Sequence, residues 1–419
     1  MEEYKIILKL LNQFPEQTQS EKLHIQDSAK LYQTATLHGV QSIIFPKLKQ
    51  LYEAGQLDMP KELYEKWNAE FYYNTLKNVP RNAFIHKTIH ALEAAGIPHC
   101  LLKGETLAVL YPCPEARISG DADIYIGTKN IDKAVSVMKE LGYEVKPKNH
   151  TSHHIICTHP IGGMVELHLF LHDELFEDVW FDKQSVFTEP FRRITLDGDK
   201  INTLGYTDGA VFVTLHLIKH FLSQGVGIRQ VMDTLLYLKA YRREIDFERF
   251  NALMEHLKYE KFMDVLYTIG IKHLGFQEED FPPFVRREAQ AEQVLDEIME
   301  AGAFGFSDIQ RKDFYITYTE ERFQRFKQED YGSYMKAWKH ESIWKAVFLD
   351  RKRMEQKYPY VKKTAVLLPI AWLQRICYLI ASVLFGKKRM KEYVYAVNKN
   401  EQSDFVQKKM ALIRELDMI

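Results

Sequence analysis

The sequence predicts an α+β protein, in which a small mixed sheet with helices is flanked by helical regions on both sides. Apolar residues recur at spacings of three and four before about residue 96, and again from residue 207 to about residue 302. Between these stretches, short apolar or alternating runs are bounded by glycine and proline, as is typical of strands and turns.

The composition is that of an ordinary globular protein. A chain of 419 residues is long enough for two or three domains. The net charge of -1 gives no bulk attraction to nucleic acid or to an anionic membrane. The four cysteines form no CxxC pair, which argues against a zinc ribbon or a disulfide framework. The first residues lack the apolar core and cleavage site of a signal peptide, so we expect a cytoplasmic protein.

The elements follow in order along the chain. Residues 1–82 form an N-terminal helical region, and the helix that follows ends at Gly96 because Pro98 prevents its continuation. Strands are predicted at 99–102, 121–126, 153–158 and 164–170, with a helix up to Leu141 after the second of them and a hairpin-type turn at 160–163. We assign the core to 83–205, a helical domain to 206–305 and a C-terminal helical region to 306–419.

The most informative segment is the predicted strand that begins Gly120-Asp121-Ala122-Asp123. Side chains alternate along a strand, so Asp121 and Asp123 share one face and can share a divalent cation. On the opposite face Ala122 and Ile124 can pack into a core. An Asp-x-Asp sequence also occurs as a solvated turn, so the motif needs its context.

That context includes Glu166, which alternation places on one face of the last predicted strand together with His168. If this strand lies beside the Asp121 strand, three carboxylates meet and repel one another unless a cation compensates them. Such oxygen ligands suit Mg²⁺ or Mn²⁺. His168 could orient a carboxylate or approach an acceptor.

The residues LKGETLAVLYPCPEARISGDADIYI, followed by VELHLFL, resemble a bacterial family described as uncharacterised nucleotidyltransferases. This family belongs to the DNA polymerase β-like nucleotidyltransferase superfamily. The close resemblance covers about residues 83–172, and a weaker similarity continues to about 240. It implies a polymerase β-like nucleotidyltransferase core in which an NTP, ATP among the candidates, loses pyrophosphate as its NMP passes to a hydroxyl.

The resemblance also implies roles for individual residues. Asp121 and Asp123 would bind the metal ions that bridge the NTP phosphates, while Glu166 would complete the acceptor-side ion and help to deprotonate the acceptor. Lys103 and Gly104 would lie near the β- and γ-phosphates, where glycine permits close approach. The further candidates for nucleotide contacts are Arg117, Ser119, Gly120 and Arg229.

One position departs from the superfamily pattern, because the usual glycine turn continues with glycine or serine and here continues with Glu105. Its charge would oppose a triphosphate. The neutral chain lacks a basic stripe, which argues against long nucleic acids and favours a small-molecule or protein acceptor. The alternative function is a catalytically silent nucleotide-binding or scaffolding protein of the same fold.

The segment 206–240 and the segment 365–385 add further candidates. Arg229 and Asp233 are four residues apart on a predicted helix and can pair, either to line the pocket or to pack the helix on the sheet. His216 and His220 have zinc-binding spacing but lack the glutamate of a zincin, so we favour a surface or core-edge role. The apolar segment 365–385 has Arg375 at its centre, which favours a buried or partner-facing helix, or a peripheral membrane helix, over a span.

Overall fold

A computed structural model describes residues 2–12, 25–146, 154–171, 186–223, 225–302, 318, 367–374 and 404–418. The chain forms two compact units, the first made of Met1–Phe306 with Glu415–Met418 and the second of Ser307–Arg414 with Ile419. The division into four domains stays a prediction. All contacts discussed below lie within the first unit.

Helices lead into the sheet, as the periodicity predicts: α1 Glu2–Leu11, α2 Ser28–Leu37, α3 Gln41–Glu53 and α4 Lys61–Ala94. The start of α2 is fixed by Asp27, whose side chain accepts a hydrogen bond of 2.9 Å from the Lys30 N–H. After α4 ends, Gly96 adopts a φ of 64° and Pro98 blocks further helix. Because α4 is 34 residues long, it carries the chain from the N-terminal helices directly onto the sheet.

The sheet has seven strands in the order β3-β4-β5-β2-β1-β7-β6. The strands are β1 Cys100–Leu101, β2 Asp121–Tyr125, β3 Glu144–Val145, β4 His154–His159, β5 Gly163–His168, β6 Arg192–Leu196 and β7 Asp199–Thr203. The pairs β2–β5 and β1–β7 are parallel and the others antiparallel. The predicted α+β class, mixed sheet and hairpin are therefore confirmed.

Sequence reasoning missed β3 and the hairpin of β6 and β7. The hairpin turns at Asp197-Gly198, where both residues have positive φ. An Asp-Gly pair between alternating residues is a strong hairpin signal, so this element was detectable. By contrast, β3 has two residues and is defined by its pairing with β4, which local sequence does not reveal.

One face of the sheet packs against α4 and against α6 (Ile131–Glu140), whereas α5 (Glu105–Ala108) follows β1. The apolar side chains of β2 and β5 meet those of α4 and α6 in one core, formed by Ile85, Ile89, Leu92, Ala122, Ile124, Ala134, Met138, Val165 and Leu167 among others. Burying each large apolar side chain contributes roughly 1.5–3 kcal/mol. This core fixes the register of β2, so its acidic residues must occupy the other face.

Further helices follow the sheet: α7 Tyr206–Ser223, α8 Ile228–Ala240, α9 Phe247–His256, α10 Glu260–His273 and α11 Glu288–Ala301. α7 starts at Tyr206, close to the predicted residue 207, and Glu189 caps it by accepting hydrogen bonds from the N–H groups of Thr207 and Asp208, at 2.9 and 3.0 Å. α7 is apolar on nearly all sides and is buried, which is why its apolar residues show only a weak helical period.

In the rest of the chain the structure describes α12 (Asp404–Glu415) and a helical stretch at 368–374. Most of the predicted apolar segment 365–385 lies outside the described residues. None of the helices within the described ranges combines the length and hydropathy that a transmembrane span requires.

Candidate active site

The turn between β1 and α5 begins the site. Gly104 has φ 82° and ψ −107°, a conformation that a residue with a Cβ rarely adopts. The turn brings Gly104 against Ser119, because a Cβ added at Gly104 would lie 3.5 Å from the Ser119 hydroxyl. The sharp reversal places Lys103 just past the end of β1, beside β2.

Two of the three predicted carboxylates, Asp123 and Glu166, meet on neighbouring strands. β2 and β5 are parallel neighbours, and Asp123 lies directly opposite Glu166 in the register. Asp123 is fully buried, whereas Asp121, at the first position of β2, is half-buried and opens onto a neighbouring cleft. Ligand atoms of Asp123, Glu166 and His168 all lie within 4.8 Å of one another, and Asp121 is outside this group. Three neighbouring side chains on two rigid strands thus form a compact polar cluster.

Asp123 is compensated from both sides. His168 donates a hydrogen bond of 2.8 Å from Nε2 to Oδ1, and the Lys103 ammonium lies 3.2 Å from Oδ2. Burial alone would raise the pKa of Asp123, but the charge of Lys103 and the hydrogen bond from His168 outweigh it and lower the pKa. Asp123 is therefore an anion held inside the protein at neutral pH.

Lys103 has a second neighbour that the sequence did not reveal, His216 on α7. Burial and the charge of Lys103 lower the pKa of His216 well below its usual value, so its imidazole is neutral. Its Nε2 lies 3.3 Å from the Lys103 Nζ and accepts a hydrogen bond. The predicted core-edge placement of His216 agrees with its half-buried position. α7 thus helps to aim Lys103 at Asp123.

Arg117 lies at the centre of a buried network. Its Nε and Nη2 each donate a bond of 2.7 Å to one oxygen of Asp233, and its Nη1 donates to the Gly104 carbonyl and the Ser119 hydroxyl, at 3.1 and 2.7 Å. Tyr111 adds a bond of 2.7 Å to Asp233. These contacts fix the shape of the turn around Gly104.

The predicted pairing of Arg229 with Asp233 is wrong, because Asp233 is taken by Arg117. Arg229 instead donates a hydrogen bond to the Ile118 carbonyl and supports the segment before β2. Arg229 is at i−4 of Asp233 on the same helix, whereas Arg117 is 116 residues away in sequence, and helical spacing alone favoured the nearer arginine. Tertiary packing instead brings Arg117 to Asp233, because the guanidinium of Arg117 can bind the carboxylate with two hydrogen bonds.

A cleft that is partly open to solvent lies between this loop and the helices α7 and α8. Its lining includes all six predicted nucleotide contacts, namely Lys103, Gly104, Arg117, Ser119, Gly120 and Arg229, together with the predicted metal ligand Asp121. Asp123 and Glu166 are not part of the lining. The lining also includes side chains that sequence reasoning missed, Phe212, Val213, Leu217, Gln230 and Thr234, which carried no signal beyond a buried helical period.

Residues 25–271 match a family described as uncharacterised nucleotidyltransferase. The chain belongs to this family. Among solved structures, it is similar to an antigenic nucleotidyltransferase-like protein from Paracoccidioides brasiliensis, with 13% identity and a TM-score of 0.28 over 43% of this chain and 86% of that one. No curated protein matches the chain.

Family membership confirms the resemblance at the level of the nucleotidyltransferases, and it implies a divalent metal ion. The residues present fit such an ion. Asp123 is a buried anion whose Oδ2 contacts the Lys103 ammonium, and Glu166 and His168 offer further ligand atoms beside its carboxylate. Oxygen-rich groups of this kind are what hard divalent cations prefer.

Glu105, the residue that departs from the glycine turn of the superfamily, has a hydrogen-bond partner in the nucleotidyltransferase core. Glu105 accepts a hydrogen bond of 2.7 Å from His86 of α4, whose other ring nitrogen lies 3.1 Å from Asp199. The bond to Glu105 raises the pKa of His86, against the opposing effect of burial. The charge of Glu105 is thus balanced on the α4 side of the turn, and Glu105 is absent from the cleft lining.

Proposed function

We propose that the protein transfers a nucleoside monophosphate from an NTP to a hydroxyl of a small-molecule or protein acceptor, in a reaction that depends on Mg²⁺ or Mn²⁺. The pairing of Asp123 with Glu166, next to Asp121 and the cleft beyond Lys103-Gly104, carries this proposal. The acceptor oxygen attacks the α-phosphorus, the bond from that phosphorus to the bridging oxygen breaks, and pyrophosphate leaves.

The residues of the chain take distinct roles in this proposal. Asp121, Asp123 and Glu166 hold the metal ions, which stabilise the attacking and leaving oxygens when bound. Glu166 accepts the proton of the acceptor hydroxyl. Lys103 and the backbone of Gly104 and Gly120 contact the phosphates, and Arg229 borders the same cleft.

Arg117 and Ser119 also border the cleft, and their bonds to Asp233 and to each other favour a positioning role. By holding the Gly104 carbonyl, Arg117 keeps the turn open for a phosphate. The net charge of -1 supports a small-molecule or protein acceptor over a long nucleic acid.

A second function, a catalytically silent nucleotide-binding or scaffolding protein, is favoured by one observation. Asp123 is already compensated by Lys103 and His168 without an ion. A silent member could keep this arrangement as a structural ion pair.

The two functions are separated by a screen of all four NTPs with Mg²⁺ and with Mn²⁺, read by thermal shift and by pyrophosphate release. The double variant Asp121→Asn/Asp123→Asn preserves shape at the buried Asp123, and Asp132→Asn on the exposed surface of α6 is the matched control. Metal-dependent NTP stabilisation and pyrophosphate release that disappear in the double variant would support the transferase. Nucleotide binding without pyrophosphate release would support the silent function, and no binding with either metal would overturn both.

A further inference from the structure

The cluster of Asp123, Glu166 and His168 differs from a purely acidic magnesium site, because one of its three members offers a nitrogen. His168 Nε2 lies 2.8 Å from Asp123 Oδ1 and 3.6 Å from Glu166 Oε2. Both contacts are made by the same ring nitrogen. The imidazole therefore points into the space between the two carboxylates.

These separations are those of ligands around one cation. With bonds of about 2.0–2.2 Å, neighbouring ligands of an octahedral ion are roughly 3 Å apart and opposing ones roughly 4.3 Å. Both separations from His168 fall within this range, and ligand atoms of the three side chains lie within 4.8 Å of one another. They project from β2 and β5, where Tyr125 is paired with His168 and Asp123 with Glu166.

Lys103 leaves this space free. Its ammonium contacts Oδ2 of Asp123, whereas His168 contacts Oδ1. A cation between Oδ1, the imidazole and Glu166 would take the place of the proton that His168 now shares with Asp123, and the imidazole would carry its proton on Nδ1 instead. Lys103 can keep its contact with Oδ2 throughout.

We infer that His168 is a metal ligand and that the Asp123–Glu166–His168 cluster binds a first-row transition-metal dication, such as Mn²⁺, in preference to Mg²⁺. The physical reason is ligand chemistry. Mg²⁺ is a hard ion that favours oxygen and gives up water reluctantly, whereas first-row transition-metal dications accept imidazole nitrogen more readily than Mg²⁺ does, even Mn²⁺, which is at the weak end of their affinity order. The inference rests on the proposed function insofar as both place an ion at Asp123, and it names the ion that this site selects.

His154 provides a matched control. It is paired with His168 across β4 and β5, and its Nε2 lies 3.8 Å from the other oxygen of Glu166, Oε1. It is outside the group whose ligand atoms lie within 4.8 Å of one another. A histidine that approaches Glu166 from outside the three-residue cluster separates metal ligation from a general effect of a nearby imidazole.

The test uses the full chain and Mn²⁺ alone. Electron paramagnetic resonance of free Mn²⁺ gives the affinity, and competition with Mg²⁺ gives the selectivity. We expect Mn²⁺ to bind at least about tenfold more tightly than Mg²⁺, and His168→Gln to reduce Mn²⁺ affinity by about tenfold or more, as loss of such a group typically does. His154→Gln should retain both the affinity and the selectivity.

A direct readout does not depend on any variant. Electron spin-echo envelope modulation of the Mn²⁺-loaded protein should show coupling to a directly bound ¹⁴N, and labelling the histidines with ¹⁵N should change its frequency. The coupling should be lost in His168→Gln and kept in His154→Gln. Absence of nitrogen coupling in the unaltered protein, equal affinity for the two metals, or no bound Mn²⁺ with or without an NTP would each overturn the inference.

Failure of this inference and failure of the proposed function give different results. Nitrogen coupling without pyrophosphate release from any NTP would leave the metal site standing and remove the transferase. Pyrophosphate release with Mg²⁺ and no nitrogen coupling would leave the transferase standing and remove His168 from the metal site.

Discussion

Arg117 and Asp233 form a buried bidentate ion pair with two bonds of 2.7 Å, although they are far apart in the sequence. The pair joins the loop before β2 to α8, and both residues line the cleft. Burial opposes the charge of Asp233, but the Arg117 guanidinium outweighs this and lowers the pKa of the carboxyl. The loop that we propose to hold phosphates is therefore held by charge as well as by packing.

Removing either partner of this pair should be costly. We expect Arg117→Ala and Asp233→Ala each to lower the free energy of unfolding by about 3–5 kcal/mol, because the other charge stays buried and unpaired. Arg117→Lys should restore little, since lysine lacks the planar fork. Chemical denaturation measures these changes. The exposed pair of Arg193 and Glu93 is the control, and Arg193→Ala should cost at most about 1 kcal/mol; equal costs at both sites would contradict the prediction.

Removal of the Lys103 charge should have opposite effects on the affinity for a divalent cation and on the affinity for an NTP. Lys103→Met removes a positive charge beside Asp123, so a divalent cation should bind about fivefold more tightly or better. NTP binding should weaken, because the ammonium borders the cleft. Isothermal titration with Mn²⁺ and with an NTP measures both effects. Lys129→Met, at an exposed position, should leave both affinities unchanged, and weaker metal binding by Lys103→Met would contradict the prediction.

The two glycines of the loop should respond differently to alanine. Gly104→Ala should cost about 1–2 kcal/mol or more, because φ at this position is 82°. Gly120 has an ordinary φ and open space where a Cβ would lie, so Gly120→Ala should change stability by less than about 0.5 kcal/mol. Gly120→Ala should still weaken NTP binding if a phosphate approaches this backbone. Denaturation and nucleotide titration of both variants check this, and a large loss of stability in Gly120→Ala would contradict it.

His86 should stabilise the protein in a defined pH range. Its hydrogen bond to Glu105 raises the pKa above the ordinary 6.5, so its contribution is fully present below that value and is lost as pH rises through the folded pKa. The difference in Tm between the unaltered protein and His86→Gln should therefore be largest on the acidic side of neutrality and shrink in mild alkali. A contribution of about 1–3 kcal/mol, usual for a hydrogen bond to a charged group, corresponds to several degrees.

His90 serves as the control for this measurement. It also contacts Asp199, at 3.3 Å, but its side chain is half-exposed. His90→Gln should give a small difference in Tm with little dependence on pH. A His86→Gln difference that grew in alkali would show that His86 is held neutral.

The predictability of each feature followed from the range of the interactions that produce it. The β2 and β4–β5 strands, the α6 helix and the facing of Asp121 and Asp123 follow from local alternation and glycine or proline signals. The partner of Asp233 does not follow from local sequence, because Arg229 is the nearer arginine in the helix whereas packing brings Arg117 to the carboxylate. The cap of α7 could not be predicted either, since it comes from Glu189, which no local pattern connects to Thr207.

The sequence by itself determined the α+β class, the acidic face of β2 and the likeness to the nucleotidyltransferases, because periodicity and short motifs are written locally in the chain. The tertiary structure decided which side chains meet. It placed Glu166 opposite Asp123, turned His168 between them and brought Lys103 to His216. These contacts depend on strand order and on how the helices pack on the sheet. Burial brings the contacting residues together although they are distant in sequence.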